Sequence, residues 1–185
     1  MGLTQRELCP NAPNRAFDWY ALTVRHQHER TAQAALAAKG FETLVPLYRA
    51  RNQWSDREKQ LDLPLFPGYV ICRFPFDERV RVLNTPGVRG IVGFGGKAAS
   101  LDKAEIEAIE QMTRSGVPLS PWPYLKPGDR VRVECGPLRG MTGTLIQERD
   151  AYRLVISVEL LQRSIAAEVT PDAIVPLERA FAKGA

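Results

Sequence analysis

The sequence predicts an α+β fold of two domains, in which a split βαβ sheet with packed helices is followed by a small β-barrel. Three observations support this prediction. Strand-like and helix-like segments alternate over the first part of the chain, prolines interrupt that pattern between Gly116 and Gly128, and short β-rich runs follow to residue 177. With 185 residues, 44% of them apolar, the chain can form two packed cores.

The first domain opens with strand-like and helix-like segments. The β-favouring run from Trp19 to Arg25 predicts a strand, and the alanine-rich stretch from His28 to Lys39 has helical spacing of its apolar residues. Gly40 is a natural left-handed end for that helix. Residues 41–48 predict a second strand, and the polar residues 49–63 predict a hairpin or an extended loop.

The second half of this domain continues the alternation. Residues 65–74 predict a strand entered through prolines, residues 77–83 a short helix, and residues 88–94 a further strand. Asp102, with Glu105 three residues later, has the spacing of a capping box. The helix that follows carries its apolar residues on one face, namely Ile106, Ile109 and Met112. The order of these elements is that of a split βαβ sheet.

A proline-rich spacer separates the two domains. Its four prolines interrupt any regular element and favour a semi-rigid, extended linker. Five short β-rich runs follow, and roughly 55 residues bury their apolar side chains most economically as a closed barrel without open edges. The predicted leader, first domain, linker, second domain and tail are residues 1–16, 17–115, 116–126, 127–179 and 180–185.

Composition limits the possible functions. The net charge of +4 is too small for a protein that coats nucleic acid, so tight attachment to DNA would need a protein partner. Cys9, Cys72 and Cys135 are far apart and suggest neither a disulfide framework nor a metal site. Because no apolar run has the length of a signal peptide or a membrane span, we expect a cytoplasmic protein without membrane contact.

No catalytic motif stands out, so we expect no enzyme activity and no cofactor. The glycine-rich segment from Gly93 to Gly96 lacks the lysine and the helix that a phosphate-binding loop needs immediately after it. His26 and His28 lie close in sequence, but no carboxylate or cysteine cluster accompanies them as further metal ligands.

Two groups of motifs occur in a fixed order. The first domain contains Trp19-Tyr20, Leu65-Phe66-Pro67-Gly68-Tyr69-Val70, Asn84-Thr85-Pro86-Gly87-Val88 and Val92-Gly93-Phe94-Gly95. The second contains Gly128-Asp129-Arg130-Val131-Arg132-Val133 and Gly136-Pro137-Leu138-Arg139-Gly140-Met141-Thr142-Gly143. The first group closely resembles the N-terminal (NGN) domain of the NusG family, and the second resembles its KOW motif, an SH3-like barrel. The resemblance covers residues 18–177.

The resemblance implies that the first domain binds the clamp helices of the largest catalytic subunit of RNA polymerase through an apolar depression. Aromatic side chains suit such an interface because they bury a large area with few rotatable bonds. The alternative interpretation is that these aromatics are core residues. Phe66 and Tyr69 match the aromatic residues of that contact, and Trp19 or Tyr20, with Pro67, would shape its floor. The candidate polymerase-binding residues are therefore Trp19, Tyr20, Leu65, Phe66, Pro67 and Tyr69.

The resemblance also implies contacts with nucleic acid. Asn84 and Thr85 match the position where some family members touch the non-template DNA strand, although the same residues could form a plain turn. Family members turn basic residues toward upstream DNA or the bubble in comparable places. The matching residues are Arg25, His26, His28, Arg30, Arg49 and Arg51, for which a solvated charged surface is the alternative.

The resemblance also implies a partner-binding site in the barrel, where family members bind the termination factor Rho or a small-subunit ribosomal protein. This sequence departs from the general factor there, since Leu160-Leu161-Gln162-Arg163 lacks the aromatic residue and the glycine that precede the arginine. One of the two leucines could instead be a core residue. The candidate partner-binding residues are Met141, Leu160, Leu161 and Arg163.

The resemblance therefore implies a transcription elongation factor that stabilises the upstream bubble and suppresses pausing and termination. The departure in the barrel favours an operon-specific antiterminator paralogue over a housekeeping factor. A ribosome-associated or RNA-binding KOW protein is the alternative from another class. Against it, the strands at residues 65–74 and 88–94 lack the paired aromatic and basic signature with which RNA-recognition sheets stack bases.

Overall fold

A computed structural model of the chain describes residues 17–54, 57–123, 130–148 and 151–178. The predicted leader, the predicted tail and Cys9 lie outside these residues. The first part of the chain contains, in order, β1 (Phe17–Val24), α1 (Glu29–Ala38), β2 (Glu42–Leu44), β3 (Leu47–Trp54), β4 (Arg57–Pro64), β5 (Tyr69–Pro75), a short 3-10 turn (Phe76–Glu78), α2 (Arg79–Leu83), β6 (Val88–Ile91), β7 (Gly93–Phe94), β8 (Lys97–Ala98) and α3 (Lys103–Arg114). The remainder contains β9 (Leu119–Pro123), β10 (Arg130–Val133), β11 (Thr142–Glu148), β12 (Ala151–Val158), β13 (Arg163–Val169), a 3-10 turn (Pro171–Ala173) and β14 (Ile174–Glu178).

The N-terminal sheet has the predicted split βαβ topology. Its strand order is β2-β5-β1-β6, and β5 is antiparallel to both β1 and β2. The strands β1 and β2 are therefore parallel, joined by α1, with β5 inserted between them. Together with the second, all-β part of the chain, this confirms the predicted α+β fold class.

Each face of this sheet packs against a helix because side chains alternate along β1. Tyr20 and Leu22 belong to a buried cluster that includes Leu36 of α1. Trp19 belongs to the cluster on the other face, which includes Ile109 of α3. Helices thus cover both faces of the sheet, and the two aromatic residues that open the domain point in opposite directions.

Some boundaries differ from those the sequence predicts. The strand predicted for residues 41–48 is divided into β2 and β3 on either side of Pro46. The strand predicted for residues 65–74 begins only at Tyr69, because residues 65–68 turn. The hairpin predicted as one possibility for residues 49–63 is confirmed as the antiparallel pair β3 and β4.

The capping-box prediction is half right. The Asp102 carboxylate accepts a hydrogen bond from the Ala104 N–H at 2.7 Å, as an N-cap does. The Glu105 carboxylate instead accepts the backbone N–H of Glu159, at 3.0 Å, from the second domain. Glu105 therefore links the domains, which sequence spacing could not indicate.

The prediction that prolines exclude regular structure from the linker is wrong for residues 119–123. These residues form β9, which is antiparallel to β13 and lies at one end of the sheet order β14-β10-β11-β12-β13-β9. An edge strand tolerates Pro121 and Pro123, because half of its backbone N–H groups need no partner in the sheet. The five predicted β-rich runs correspond to β10 to β14. Closure into a barrel stays a prediction, since the described residues show no ladder between β9 and β14.

The two predicted domains are in contact. The Gln111 side-chain amide of α3 donates a hydrogen bond to the Arg139 carbonyl at 3.2 Å, which adds to the link made by Glu105. One continuous cluster of buried apolar residues includes Trp19, Phe66 and Ile109 of the first domain and Val133 and Leu161 of the second. The second domain thus packs on the α3 side of the first.

The two described cysteines, Cys72 and Cys135, are free thiols. Cys72 is buried within β5, where burial raises the pKa of its thiol to about 12, while Cys135 is exposed. The described residues contain no group of three or more His, Cys, Asp or Glu side chains placed to hold a metal ion. No helix in that part of the chain is both long and apolar enough to cross a membrane.

Candidate functional site

The segment Phe66–Tyr69, which we call the docking turn, is a tight turn at the entrance to β5. The Tyr69 N–H donates to the Phe66 carbonyl at 3.1 Å. Pro67 occupies the second position of this turn, and Gly68 occupies the third with φ +84°. A proline followed by a left-handed glycine is the requirement of a type II turn. The motif residues therefore determine the shape of this loop directly.

A buried carboxylate holds the docking turn in place. Glu29, at the start of α1, is only 5% exposed, and its Oε1 accepts the Gly68 N–H at 2.7 Å. The Gly68 carbonyl in turn accepts the Val24 N–H at 2.9 Å. The turn is thus fastened to both β1 and α1, so its side chains are presented by a rigid backbone.

The structure places the six predicted polymerase-binding residues at different depths. Phe66 is 2% exposed, and Leu65 and Trp19 lie in the same buried cluster. Pro67 is exposed, and Tyr69 is half-buried. Of these five residues, Pro67 and Tyr69 reach the surface.

Tyr20 does not join the docking residues. It lies on the other face of the sheet, where its ring centroid is 4.7 Å from that of Phe74 and 5.8 Å from that of Phe76. Burial, and to a smaller extent the charge of Asp18, raises the pKa of the Tyr20 hydroxyl. Tyr20 is therefore a core residue of the α1 side.

An apolar cleft of about 380 Å³, which we call the docking cleft, lies beside the docking turn. It separates the β1–α1 junction from the base of the β3–β4 hairpin. Its apolar lining is Val45, Leu47, Tyr48, Leu63, Pro64 and Pro67. Sequence reasoning missed Tyr48 and Leu63 as site residues. The alternation of Leu61 and Leu63 at the end of a polar segment was the signal that could have revealed the second of them.

The predicted nucleic-acid residues of the β1–α1 junction lie beside the Asn84–Gly87 loop. The Arg25 N–H donates to the Gly87 carbonyl at 2.9 Å. A Cβ on Gly87 would lie 3.7 Å from the Cβ of His28, so this loop packs closely against the start of α1. Arg25, His26 and His28 are exposed there. The structure thus brings together two groups of residues that are nearly 60 positions apart in the chain.

Two further arginines predicted to contact nucleic acid, Arg30 and Arg49, share an acidic partner. Arg30 lies 3.7 Å from Asp62, and Arg49 lies 4.0 Å from the same carboxylate. All three side chains are exposed, so these ion pairs are weak and the arginines can exchange partners. The side chain of Arg51 lies outside the described part of the chain.

The Asn84–Gly87 loop exposes one of its two predicted DNA-contacting side chains. Asn84 is exposed, whereas Thr85 is 3% exposed. The Thr85 hydroxyl donates to the Arg81 carbonyl at 3.2 Å and accepts from Lys39 Nζ at 2.7 Å. Because the hydroxyl is used inside the protein, Asn84 alone is available to read a base.

The predicted partner-binding residues of the second domain also differ in exposure. Met141 and Leu161 are buried, Leu160 is half-buried, and Arg163 is exposed. Leu160 and Leu161 lie in the turn between β12 and β13, where the Gln162 side chain donates to the Glu159 carbonyl at 2.7 Å. The alternative that one leucine is a core residue is confirmed for Leu161. Since Glu159 bonds to Glu105, this turn faces the first domain.

The chain is similar to known transcription proteins. A family model described as "Transcription termination factor nusG" matches residues 17–110. The "Transcription termination/antitermination protein NusG" of Staphylococcus carnosus is 27% identical over 172 residues, covering 84% of this chain and 93% of that protein. Its namesake from Thermus thermophilus is 25% identical over 167 residues, covering 77% and 90%. The solved structure "Domain interaction in Thermotoga maritima NusG" matches 88% of this chain and 98% of its own with a TM-score of 0.52. At 18% identity, that likeness shows the fold alone.

Proposed function

The chain belongs to the NusG family of transcription termination/antitermination factors, and from this premise we propose that it is an elongation factor that binds the clamp helices of RNA polymerase. The observation that carries the proposal is the docking cleft. It is apolar, lies beside the rigid docking turn and has room for side chains of a partner. The proposed function is binding, with no catalytic step, and it acts where polymerase acts, in the cytoplasm.

The cleft suits a protein partner because its apolar lining is flanked by polar and charged residues. Leu63 is 37% exposed at the cleft, while His26, Arg30 and Asp62 also line it. Apolar residues at the centre of an interface contribute most of the binding energy, and charged residues around them orient the partner. Phe66, next to the lining residue Pro67 in the docking turn, is a core residue.

The proposed mechanism is bridging of the polymerase clamp across the DNA channel. A factor that binds the active polymerase conformation more tightly than the paused one shifts the population toward the active state. Asn84, with Arg25 and His26 nearby, would contact the non-template or upstream DNA and stabilise the upstream edge of the bubble. The DNA contacts would be few and sensitive to salt.

We further propose that the protein is an operon-specific antiterminator. The turn between β12 and β13 has no aromatic residue, and Leu161 is buried. Leu160 and Arg163 remain as a reduced contact for Rho or a small-subunit ribosomal protein. Deletion of the gene followed by genome-wide polymerase occupancy tests this proposal. Changes at a few operons are expected, and changes at most genes would favour a housekeeping factor.

Polymerase binding is tested with a charge placed in the docking cleft. The variant Leu63→Glu introduces a carboxylate at a partly exposed position, so the fold is kept while apolar contact is lost. We expect the affinity of the full chain for core polymerase to fall by at least about tenfold, or about 1.4 kcal/mol. The measurement is a titration with labelled polymerase.

Leu177→Glu is the matched control, because Leu177 is 36% exposed and lies in β14 of the second domain. This variant makes the same chemical change at the same exposure, away from the cleft. It should bind polymerase like the parent chain. Equal affinity of both variants would refute docking through the cleft. Capture of ribosomes without polymerase would favour the ribosome-associated alternative.

A further inference from the structure

A hairpin beyond the N-terminal sheet presents an aromatic ring to solvent. Phe94 is 72% exposed, the largest exposed fraction among the exposed large apolar residues of the described chain. It precedes the two-residue turn Gly95-Gly96, whose φ angles are +55° and +77°. Two left-handed residues make a type I′ turn, which matches the twist of the flanking strands and defines a tight hairpin. The ring is therefore held on a defined support.

The hairpin is narrow and projects away from the protein. A Cβ on Gly93 would lie 1.9 Å from the Lys97 carbonyl oxygen, so the two strands can approach only because this residue is glycine. A Cβ on Gly95 or Gly96 would meet no atom within 4 Å. The tip is therefore open on its sides, with space around the Phe94 ring.

A cation stands beside the ring. Phe94 and Lys97 are directly paired across the hairpin, so their side chains share one face with Cβ atoms about 5 Å apart. Lys97 is exposed, and no ion pair with it is found among the described residues. An exposed aromatic face next to an ammonium group matches a nucleotide, which presents a base and a phosphate together.

The surrounding chain has an unusual charge pattern. Residues 79–101 contain no Asp or Glu, although the whole chain has 21 acidic residues. The same stretch contains four basic residues, Arg79, Arg81, Arg89 and Lys97. A stretch that carries four basic residues and no acidic ones favours an anionic ligand over a cationic or purely apolar one.

One of these basic residues, Arg89, lies on the edge of the N-terminal sheet, whereas Arg79 and Arg81 belong to α2. Strand β6 lies at one end of the strand order, and Arg89 is exposed on it. The Val92 N–H donates to the Ala21 carbonyl at 2.8 Å, which continues this edge into the β7–β8 hairpin. At about 3.3 Å per residue, the path from Val88 to Phe94 extends roughly 20 Å. It begins next to the Asn84–Gly87 loop, so one edge carries both features.

We propose that the β7–β8 hairpin is a binding site for single-stranded nucleic acid, in which the Phe94 ring stacks on an unpaired base while Lys97 and Arg89 contact phosphates. The inference rests on the proposed function, because a factor docked on polymerase is held beside unpaired strands. It adds a stacking residue to an edge where the Asn84–Gly87 loop provides polar contacts. Displaced DNA and the transcript share this chemistry, and the experiment separates them.

The experiment measures binding of the full chain to a labelled oligothymidylate, to the matching oligouridylate and to a duplex of the same length, by fluorescence anisotropy at low salt. Phe94→Ala should weaken binding to the single strand about five- to tenfold, the lower part of the range for loss of one stacked base. Phe94→Trp should restore it, because a larger ring stacks at least as well. Phe17→Ala is the matched control, since Phe17 is also exposed but lies at the start of β1.

The phosphate contacts have a separate measurement. Lys97→Gln and Arg89→Gln should each reduce the slope of log affinity against log salt by about 0.7, the value for one phosphate contact on a single strand. Phe94→Ala should leave that slope unchanged. If these substitutions only disturbed the fold, Phe94→Ala would not lower the affinity while leaving the salt slope unchanged.

The outcomes are distinct. Tighter binding of oligothymidylate assigns the site to displaced DNA, and tighter binding of oligouridylate assigns it to the transcript. Equal binding of Phe94→Ala and the parent chain, or equal binding of duplex and single strand, would overturn the proposal. Leu63→Glu should bind the oligonucleotides normally. Failure of polymerase docking and failure of base stacking are thus seen in different variants and different assays.

Discussion

The docking turn and the β6 edge carry two sets of partner-binding candidates, and they differ in how far those residues reach solvent. At the docking turn the large aromatic Phe66 is buried, and Pro67 and Tyr69 provide the accessible surface. Along the β6 edge, Asn84, Arg89 and Phe94 are exposed. An aromatic residue of a motif can thus shape a surface from within the core, as Phe66 does, whereas the exposed Phe94 ring is open to a partner.

Truncation of the two phenylalanines should give the largest contrast. Phe66→Ala leaves a cavity in a closed core, and we expect the first domain to lose about 3–5 kcal/mol of unfolding free energy. Phe94→Ala removes a ring that packs against little, so its change should stay within about 0.5 kcal/mol. Urea unfolding of both variants measures the difference. Similar losses for both would mean that the hairpin ring is also part of a core.

Removal of the carboxylate that holds the docking turn should have an intermediate effect. Glu29→Ala leaves the partly buried Gly68 N–H without its acceptor, which costs about 1–3 kcal/mol. Polymerase affinity should fall with stability, since the turn would lose its attachment to α1. Glu107→Ala is the control, because Glu107 is exposed and makes only a surface ion pair with Lys103. Equal thermal unfolding of the two variants would contradict the role of Glu29.

The contact between domains should give the smallest effect, and it depends on pH. Burial is the main cause that raises the pKa of the Glu105 carboxyl, with smaller contributions from the charges of Asp102 and Glu159, while the hydrogen bond from the Glu159 N–H opposes them. A raised pKa while the two domains are in contact means that Glu105 favours this contact most when its carboxyl is protonated, at a pH below its usual pKa. That contribution is lost as the pH rises through the raised value.

We therefore expect the amide shift of Glu159 to report a tighter domain contact in mild acid than at neutral pH. The free-energy change should be below about 1 kcal/mol, because the carboxyl is partly exposed to solvent. Glu105→Gln keeps an oxygen acceptor that does not titrate and should remove the pH dependence. Glu110→Gln, on the same helix and paired with Arg114, is the control and should keep it. Unchanged pH dependence in Glu105→Gln would assign the effect to another group.

Local patterns in the sequence predict most of the first sheet. Alternation in β1, helical spacing in α1 and α3, and the Pro67-Gly68 turn each depend on neighbours within a few positions. Strand β9 was missed because proline marks it locally as irregular, while its pairing with β13 depends on residues 40 or more positions away. Glu105 was predicted to complete a capping box because only nearby residues were considered. Its hydrogen-bond donor is the Glu159 N–H of the second domain.

The candidate site divides in a similar way. The motif residues Phe66, Pro67 and Tyr69 were found from the sequence, but Tyr48 and Leu63 were not, because the docking cleft forms only when the hairpin folds against the β1–α1 junction. The sequence also could not separate Trp19 from Tyr20. Their positions in β1 place them on opposite faces, and only the packing of α1 and α3 shows which face meets the docking turn.

The sequence alone determined the family, the α+β class and the motif that shapes the docking turn, because these depend on residue types at short and fixed spacing. Only the tertiary structure decided which motif residues are accessible, which arginines share Asp62 and how the second domain meets α3. Exposure and distant contacts depend on how all elements pack, and side-chain type determines them only in part. Phe66 and Phe94 are the same residue type, 2% and 72% exposed, and the packing around each one makes that difference.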